Sequence, residues 1–143
     1  MKHYIYVYII LLFCGVLCLN TPFEAVAQSK PNSKVVALCK KADQYINQHN
    51  FEKAMDCLKQ AKQKDSSYSD IYVLMGDIYN FTLHADSAVA CYNKAISLIG
   101  EPDPMLYCIA GNEGVKCGQY DNALHNYELF LKKGLHKLRC LKF

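Results

Sequence analysis

Tryptophan is missing from this 143-residue chain, proline occurs four times and glycine seven, too seldom for a collagen or a mucin-like low-complexity chain. Charge of one sign is scarce as well. Sixteen Lys and Arg against thirteen Asp and Glu leave a net +3, which excludes a charged tail and argues against nucleic acid as the main partner. None of the eight cysteines forms CxxC, so a thioredoxin-type redox pair and a ribbon-type zinc site lack their local signal. The five histidines never form HExxH, and there is no G-x-x-x-x-G-K phosphate loop, which leaves no local mark of a zinc hydrolase or a nucleotide-binding site. No catalytic residue, cofactor or metal site is expected.

The one long hydrophobic run, residues 4–19, has 16 residues and falls short of the ~20 that cross a hydrocarbon core. Lys2 and His3 precede it, and Ala25 and Ala27 follow as a small-x-small cleavage pattern before Gln28. Residues 1–27 read as a signal peptide cut after Ala27, with residues 28–34 as a linker. Phe13 before Cys14 and Leu17 before Cys18 are too large for a lipid-attachment motif. The alternative, an uncleaved anchor, is excluded if the mature chain starts at Gln28. The expected location is therefore exported, in the periplasm or cell envelope.

What is present beyond residue 34 is a repeat. Two small residues 12 apart recur three times, as Ala42 and Ala54, Gly76 and Ala88, and Gly111 and Ala123, with a period of 34 or 35 residues. Around each pair the apolar positions have helical spacing: Leu38, Tyr45, Leu58 and Ala61 in the first copy, Tyr72, Tyr79, Tyr92 and Ala95 in the second, Tyr107, Ala110 and Tyr127 in the third. Polar breaks at 48–50, 83–85 and 117–119 divide each copy into two helices. A small residue at the crossing lets two backbones approach within ~8–10 Å, and large residues a turn away fill the flanks. Hairpins of this size cannot bury their apolar faces alone, so they stack. The boundaries expected are 35–68, 69–103 and 104–137, with 138–143 a short tail or the start of a truncated helix. Ser33, Ser69 and Asp103 are the expected helix caps, the last followed by Pro104.

These residues resemble the tetratricopeptide repeat. Leu74, Gly76 and Tyr79 followed by Ala88, Tyr92 and Ala95 are similar to that family's L-G-x2-Y and A-x3-F-x2-A. Four departures stand out. Leu38, Tyr72 and Tyr107 replace the family's tryptophan, Ser66 and Gly100 replace its closing proline, Gly114 replaces a tyrosine, and Phe130 is large where a following helix would dock. The resemblance implies an all-α fold, a right-handed α-solenoid of three hairpins. It also implies a function: a non-catalytic scaffold whose first helices line a concave groove that takes a partner peptide or helix. Matching positions here are Cys39, Lys40, Asp43, Ile46 and Asn47; then Asp70, Val73, Leu74, Asp77, Asn80 and Phe81; then Met105, Cys108, Ile109, Asn112, Val115 and Lys116. The family's carboxylate clamp, paired Lys and Asn, is not carried over, because Asp43 stands where the Asn is needed and Lys40 is one position off.

Charge by copy runs +2, −4 and +3. An acidic centre between basic ends suits a basic segment, or end-to-middle self-association; the plainer reading is a solvated face. The rival function is a spacer at the front of a larger envelope protein whose activity lies in a downstream domain. Cys57 and Cys91 sit at equivalent places on neighbouring second helices, beyond the ~7 Å Cα limit of a disulfide, so free thiols are expected, with Cys91 and Cys117 left open. Gly111 and Gly114 read as helix packing rather than a ligand loop, and most of the tyrosines as core.

Overall fold

The computed structural model describes residues 32–140; the expected signal segment 1–27 lies outside them. The described chain is all helix in six elements: α1 (Ser33–Asn47), α2 (Phe51–Lys64), α3 (Ser69–Phe81), α4 (Ala85–Leu98), α5 (Pro104–Lys116) and α6 (Tyr120–Cys140). They pair in sequence order as three antiparallel hairpins, and each hairpin packs on the next. No helix among the described residues is long and apolar enough to cross a membrane.

The repeated small residues lie at the crossings. Ala42, Ala54, Ala88 and Ala123 are buried, as are Gly76 and Gly111. At Gly76 a Cβ would come within 2.6 Å of the Tyr92 ring, and at Gly111 within 2.8 Å of the Tyr127 ring. In the second and third hairpins the glycine is thus required by a tyrosine lying flat across it. The first hairpin solves the same problem with Ala42 and the smaller Leu58, both fully buried. Gly114, the departure from a tyrosine, has the same kind of cause: a Cβ there would sit 3.2 Å from that of Ala123, so α6 rests directly on the α5 backbone. Tyr72 and Tyr107, in the tryptophan positions, are core, and the Tyr72 hydroxyl donates to the Ser66 carbonyl at 3.0 Å.

The turns inside the hairpins share one closure. The second residue after the helix end takes a left-handed conformation, His49 at φ 56°, Leu83 at φ 63° and Gly118 at φ 76°. The next amide reaches back five residues, Asn50 to Tyr45, His84 to Tyr79 and Gln119 to Gly114, each at 2.8 Å. That is a Schellman closure, which favours glycine. Only the third turn has one.

Helix starts differ from expectation in two of three places. Asn32, not Ser33, caps α1 by accepting from the Lys34 amide at 3.0 Å. Tyr68 stands at the cap position of α3 with no side-chain cap bond, and Ser69 is the first helical residue. Asp103 caps α5 as expected, accepting from the Met105 amide at 2.9 Å. At the other end α6 runs as one helix through Gly134 to Cys140. Gly134 is tolerated within a helix, and a Cβ there would meet nothing within 4 Å.

Between α4 and α6 the stacking is polar. Asn126, buried, donates to both Asn93 and Asn122, at 3.2 and 3.0 Å, and Asn93 donates to Asn122 at 3.2 Å. Such a network contributes register rather than net stability. Cys91 and Cys57, one and two repeats earlier at the same position as Asn126, are free thiols, as are Cys39, Cys108 and Cys117.

Replacing Gly76 by Ala is expected to cost about 2 kcal/mol, because the buried Tyr92 ring has nowhere to move. Tyr92→Leu costs a similar amount through the void it leaves, and the two together reproduce the Ala42 and Leu58 pair of the first hairpin. A urea double-mutant cycle should therefore show the pair less destabilised than the sum of the singles by more than about 1 kcal/mol; strict additivity would contradict the crossing model. Leu83→Gly, at a site 88% exposed, is expected to raise stability by about 1 kcal/mol, since it relieves the left-handed strain and gives up no packing.

Candidate functional site

The first helices of the first two hairpins, α1 and α3, touch each other directly and leave a shallow pocket of about 300 Å³ between them. Its walls are Val36, Cys39, Lys40 and Asp43 from α1, Tyr68 from the preceding loop, and Asp70, Val73 and Leu74 from α3. Helical spacing explains the grouping. Residues 36, 39, 40 and 43 lie three or four apart and so share one face, as do 70, 73 and 74. Val36, Val73, Leu74 and the buried Cys39 form an apolar floor; Lys40, Asp43 and Asp70 form a charged rim.

Electrostatics in the pocket are acidic. Burial, with the Asp70 charge beside it, pushes the Cys39 thiol up to about 11, so at neutral pH it is a protonated wall group and not a thiolate. Tyr68 donates to Asp70 at 2.7 Å, and that bond, with burial, pushes its phenol up to about 12. Asp77, one turn further along α3, is raised from its ordinary value, first by burial and then by the Asp43 charge. Its bond from the Tyr92 hydroxyl, 2.8 Å, works in the opposite direction. Tyr92 itself is raised, mainly by burial and then by Asp77.

Of the seventeen positions expected in the groove, six converge on this pocket: Cys39, Lys40, Asp43, Asp70, Val73 and Leu74. Ile46 is instead a core residue, 7% exposed among Ala54, Leu58 and Tyr72. Asn47 is exposed at the end of α1. Phe81, 60% exposed, stacks on Phe51 with ring centroids 5.7 Å apart. Asp77 and Asn112, equivalent in the repeat, are both engaged by the tyrosine of their own second helix, Asn112 accepting from Tyr127 at 2.7 Å. Lys116 donates to Asn80 at 3.2 Å and pairs with the buried Glu113, which ties hairpins two and three together along this side. Ile109 and Cys108 are half-buried, and Ile109 packs against the second core cluster; Met105 and Val115 stand exposed.

Sequence reading missed Val36, Tyr68 and Glu113. Tyr68 lies in a loop, outside any helical period, and Glu113 takes the place that Ile78 holds one repeat earlier; the signal for it was Lys116 three residues on, one turn away on the same face. Among the described residues no group of three or more His, Cys, Asp or Glu side chains is placed to hold a metal ion.

The family model for the tetratricopeptide repeat matches residues 69–101, the second hairpin. The fold is a tetratricopeptide-repeat fold. Solved structures share this fold. The second repeat domain of Spaghetti (RPAP3), bound to the HSP90 peptide SRMEEVD, is 15% identical with a TM-score of 0.63, covering 70% of this chain and 86% of that one. The N-terminal domain of stress-induced protein-1 (STI-1) from C. elegans is 19% identical with a TM-score of 0.63, covering 71% and 87%. The MamA protein is 24% identical with a TM-score of 0.64, covering 73% and 57%. No curated protein matches the chain. The repeats are therefore set side by side as in those structures, with the α1 and α3 faces adjacent.

Because Asp77 is harder to ionise in the folded chain than in the unfolded one, its charge opposes folding above the carboxylate range and has no effect where both states are protonated. Asp77→Asn keeps an acceptor for Tyr92, as Asn112 does for Tyr127. It is expected to melt above the parent at pH 7, with the gap closing as the pH falls through the carboxylate range. Equal melting temperatures at pH 7 would count against the burial of that charge.

Proposed function

We propose that the protein is a protein-interaction scaffold that holds an extended segment of a partner across α1 and α3, an apolar side chain seated on Val36, Val73 and Leu74 and a basic side chain at Asp43 and Asp70. The observation that carries this reading is the α1–α3 pocket, apolar at its floor and lined by two carboxylates against one lysine. Structural neighbours support the general role, since the Spaghetti domain holds an HSP90 peptide. The ligand here differs in sign: SRMEEVD is acidic, whereas Asp43, Asp70 and Asp77 would repel acidic residues. We place the scaffold in the bacterial cell envelope or periplasm, exported by residues 1–27, without catalytic activity of its own; the support is the run at 4–19 with its Ala25 and Ala27.

The test uses two fluorescent peptides with the same apolar core, one flanked by Arg and Lys and the other by Glu. Polarisation titrations should show the basic peptide binding at least about tenfold more tightly. Leu74→Ser and Asp43→Lys should each weaken it by a similar factor without changing the helical circular dichroism. Equal affinity for the two peptides, or full binding by both variants, would remove the groove from the proposal.

A further inference from the structure

The outer face of α6 is apolar and uncovered. Tyr120, Leu124, Leu131 and Leu135 are 68%, 60%, 58% and 61% exposed. At 100° per residue they fall within about 60° of one another, a single stripe ~22 Å long. Isolated exposed leucines need no explanation, but an aligned row does. One repeat earlier the same positions are Val89 and Ile96 of α4. Val89 is 2% exposed, and Ile96 packs with Leu106 and Ile109 of α5 around the Ala88, Tyr92 and Ala110 cluster. Within this chain, then, that face of a second helix is one against which another helix packs.

The order of charges along α6 says which helix fits. Its acidic residues, Asp121 and Glu128, lie in its first half, and its basic residues, Lys132, Lys133, Lys137 and Arg139, lie in its second. Glu128 and Lys132 are both exposed, on the same flank of the stripe, and neither has an ion-pair partner among the described residues. Two copies of α6 laid antiparallel about a two-fold axis near Phe130 bring Leu124 of each over Leu135 of the other. They also set Glu128 of each beside Lys132 of the other. A parallel pair would place like charge on like. Because an isologous contact must be complementary to itself, a helix with an apolar stripe and opposite charges at its two ends meets the condition in one orientation only.

We propose that α6 is a self-association surface, pairing antiparallel with α6 of a second copy of this chain through Leu124, Leu131 and Leu135 and the reciprocal Glu128 and Lys132 pair. The site is distinct from the α1–α3 groove and does not depend on it. Sedimentation equilibrium of the full chain from about 1 to 100 µM should show a monomer–dimer equilibrium with a micromolar dissociation constant. The double variant Leu124→Glu and Leu131→Glu should remain monomeric with unchanged helical circular dichroism. Glu128→Lys and Lys132→Glu should each weaken the dimer at least about tenfold, and mixing these two single variants in equal amounts should restore it, because the mixed pair again sets plus against minus. Restoration by mixing separates a contact between chains from an effect within one helix. A monomeric parent over the whole range, undiminished association of the double leucine variant, or a mixture no tighter than the single variants would each overturn the proposal.

Discussion

Everything in this fold depends on how closely the two helices of a hairpin can approach. In the second and third hairpins the approach is set by a tyrosine ring from the second helix lying over a glycine of the first, Tyr92 on Gly76 and Tyr127 on Gly111. In the first it is Leu58 near Ala42, a smaller knob with a slightly larger floor. Volume is conserved across the crossing while its division between the helices changes, which is the kind of exchange close-packed interiors tolerate.

The same contact reaches the surface. A tyrosine that crosses its glycine extends its hydroxyl past the backbone, where it donates to the next residue of the first helix, Asp77 or Asn112. Those residues stand on the face that forms the groove. Packing inside the hairpin thus fixes acceptors on the surface outside it, and in the second hairpin it half-buries a carboxylate opposite Asp43. The first hairpin, with Leu58 at the tyrosine position, has no such hydroxyl, and Asp43 stays exposed. The acidity of the groove is in this sense a product of core packing as well as of composition.

Much of this was legible in the chain. The repeat of small residues, the helical spacing around them and the polar breaks were enough to give an all-helical stack of hairpins, because these signals are local and occur three times. Groove residues were less legible. The resemblance names a groove face, and six of the positions it implies, Cys39, Lys40, Asp43, Asp70, Val73 and Leu74, line the α1–α3 pocket. It could not see that Ile46 turns into the core, that Asn80 is held by Lys116 or that Tyr68 closes the pocket from a loop. Each of those depends on a neighbour from another helix, or on a residue with no helical phase. The caps at Asn32 and Tyr68 were misjudged by one residue for a related reason: serine is a good cap wherever it stands, and only the backbone geometry decides where the helix begins.

The sequence by itself determined that the chain is a stack of helical hairpins and where their crossings fall, because close approach admits only Gly or Ala at the contact and helical period leaves little choice of face. Only the tertiary structure decided which side chains remain open to a partner. Exposure is set by the next hairpin in the stack: Val89 is covered and Leu124 is not, though both occupy the same place in the repeat. A periodic sequence gives every copy the same face, and the position of each copy in the stack decides whether that face is core or surface.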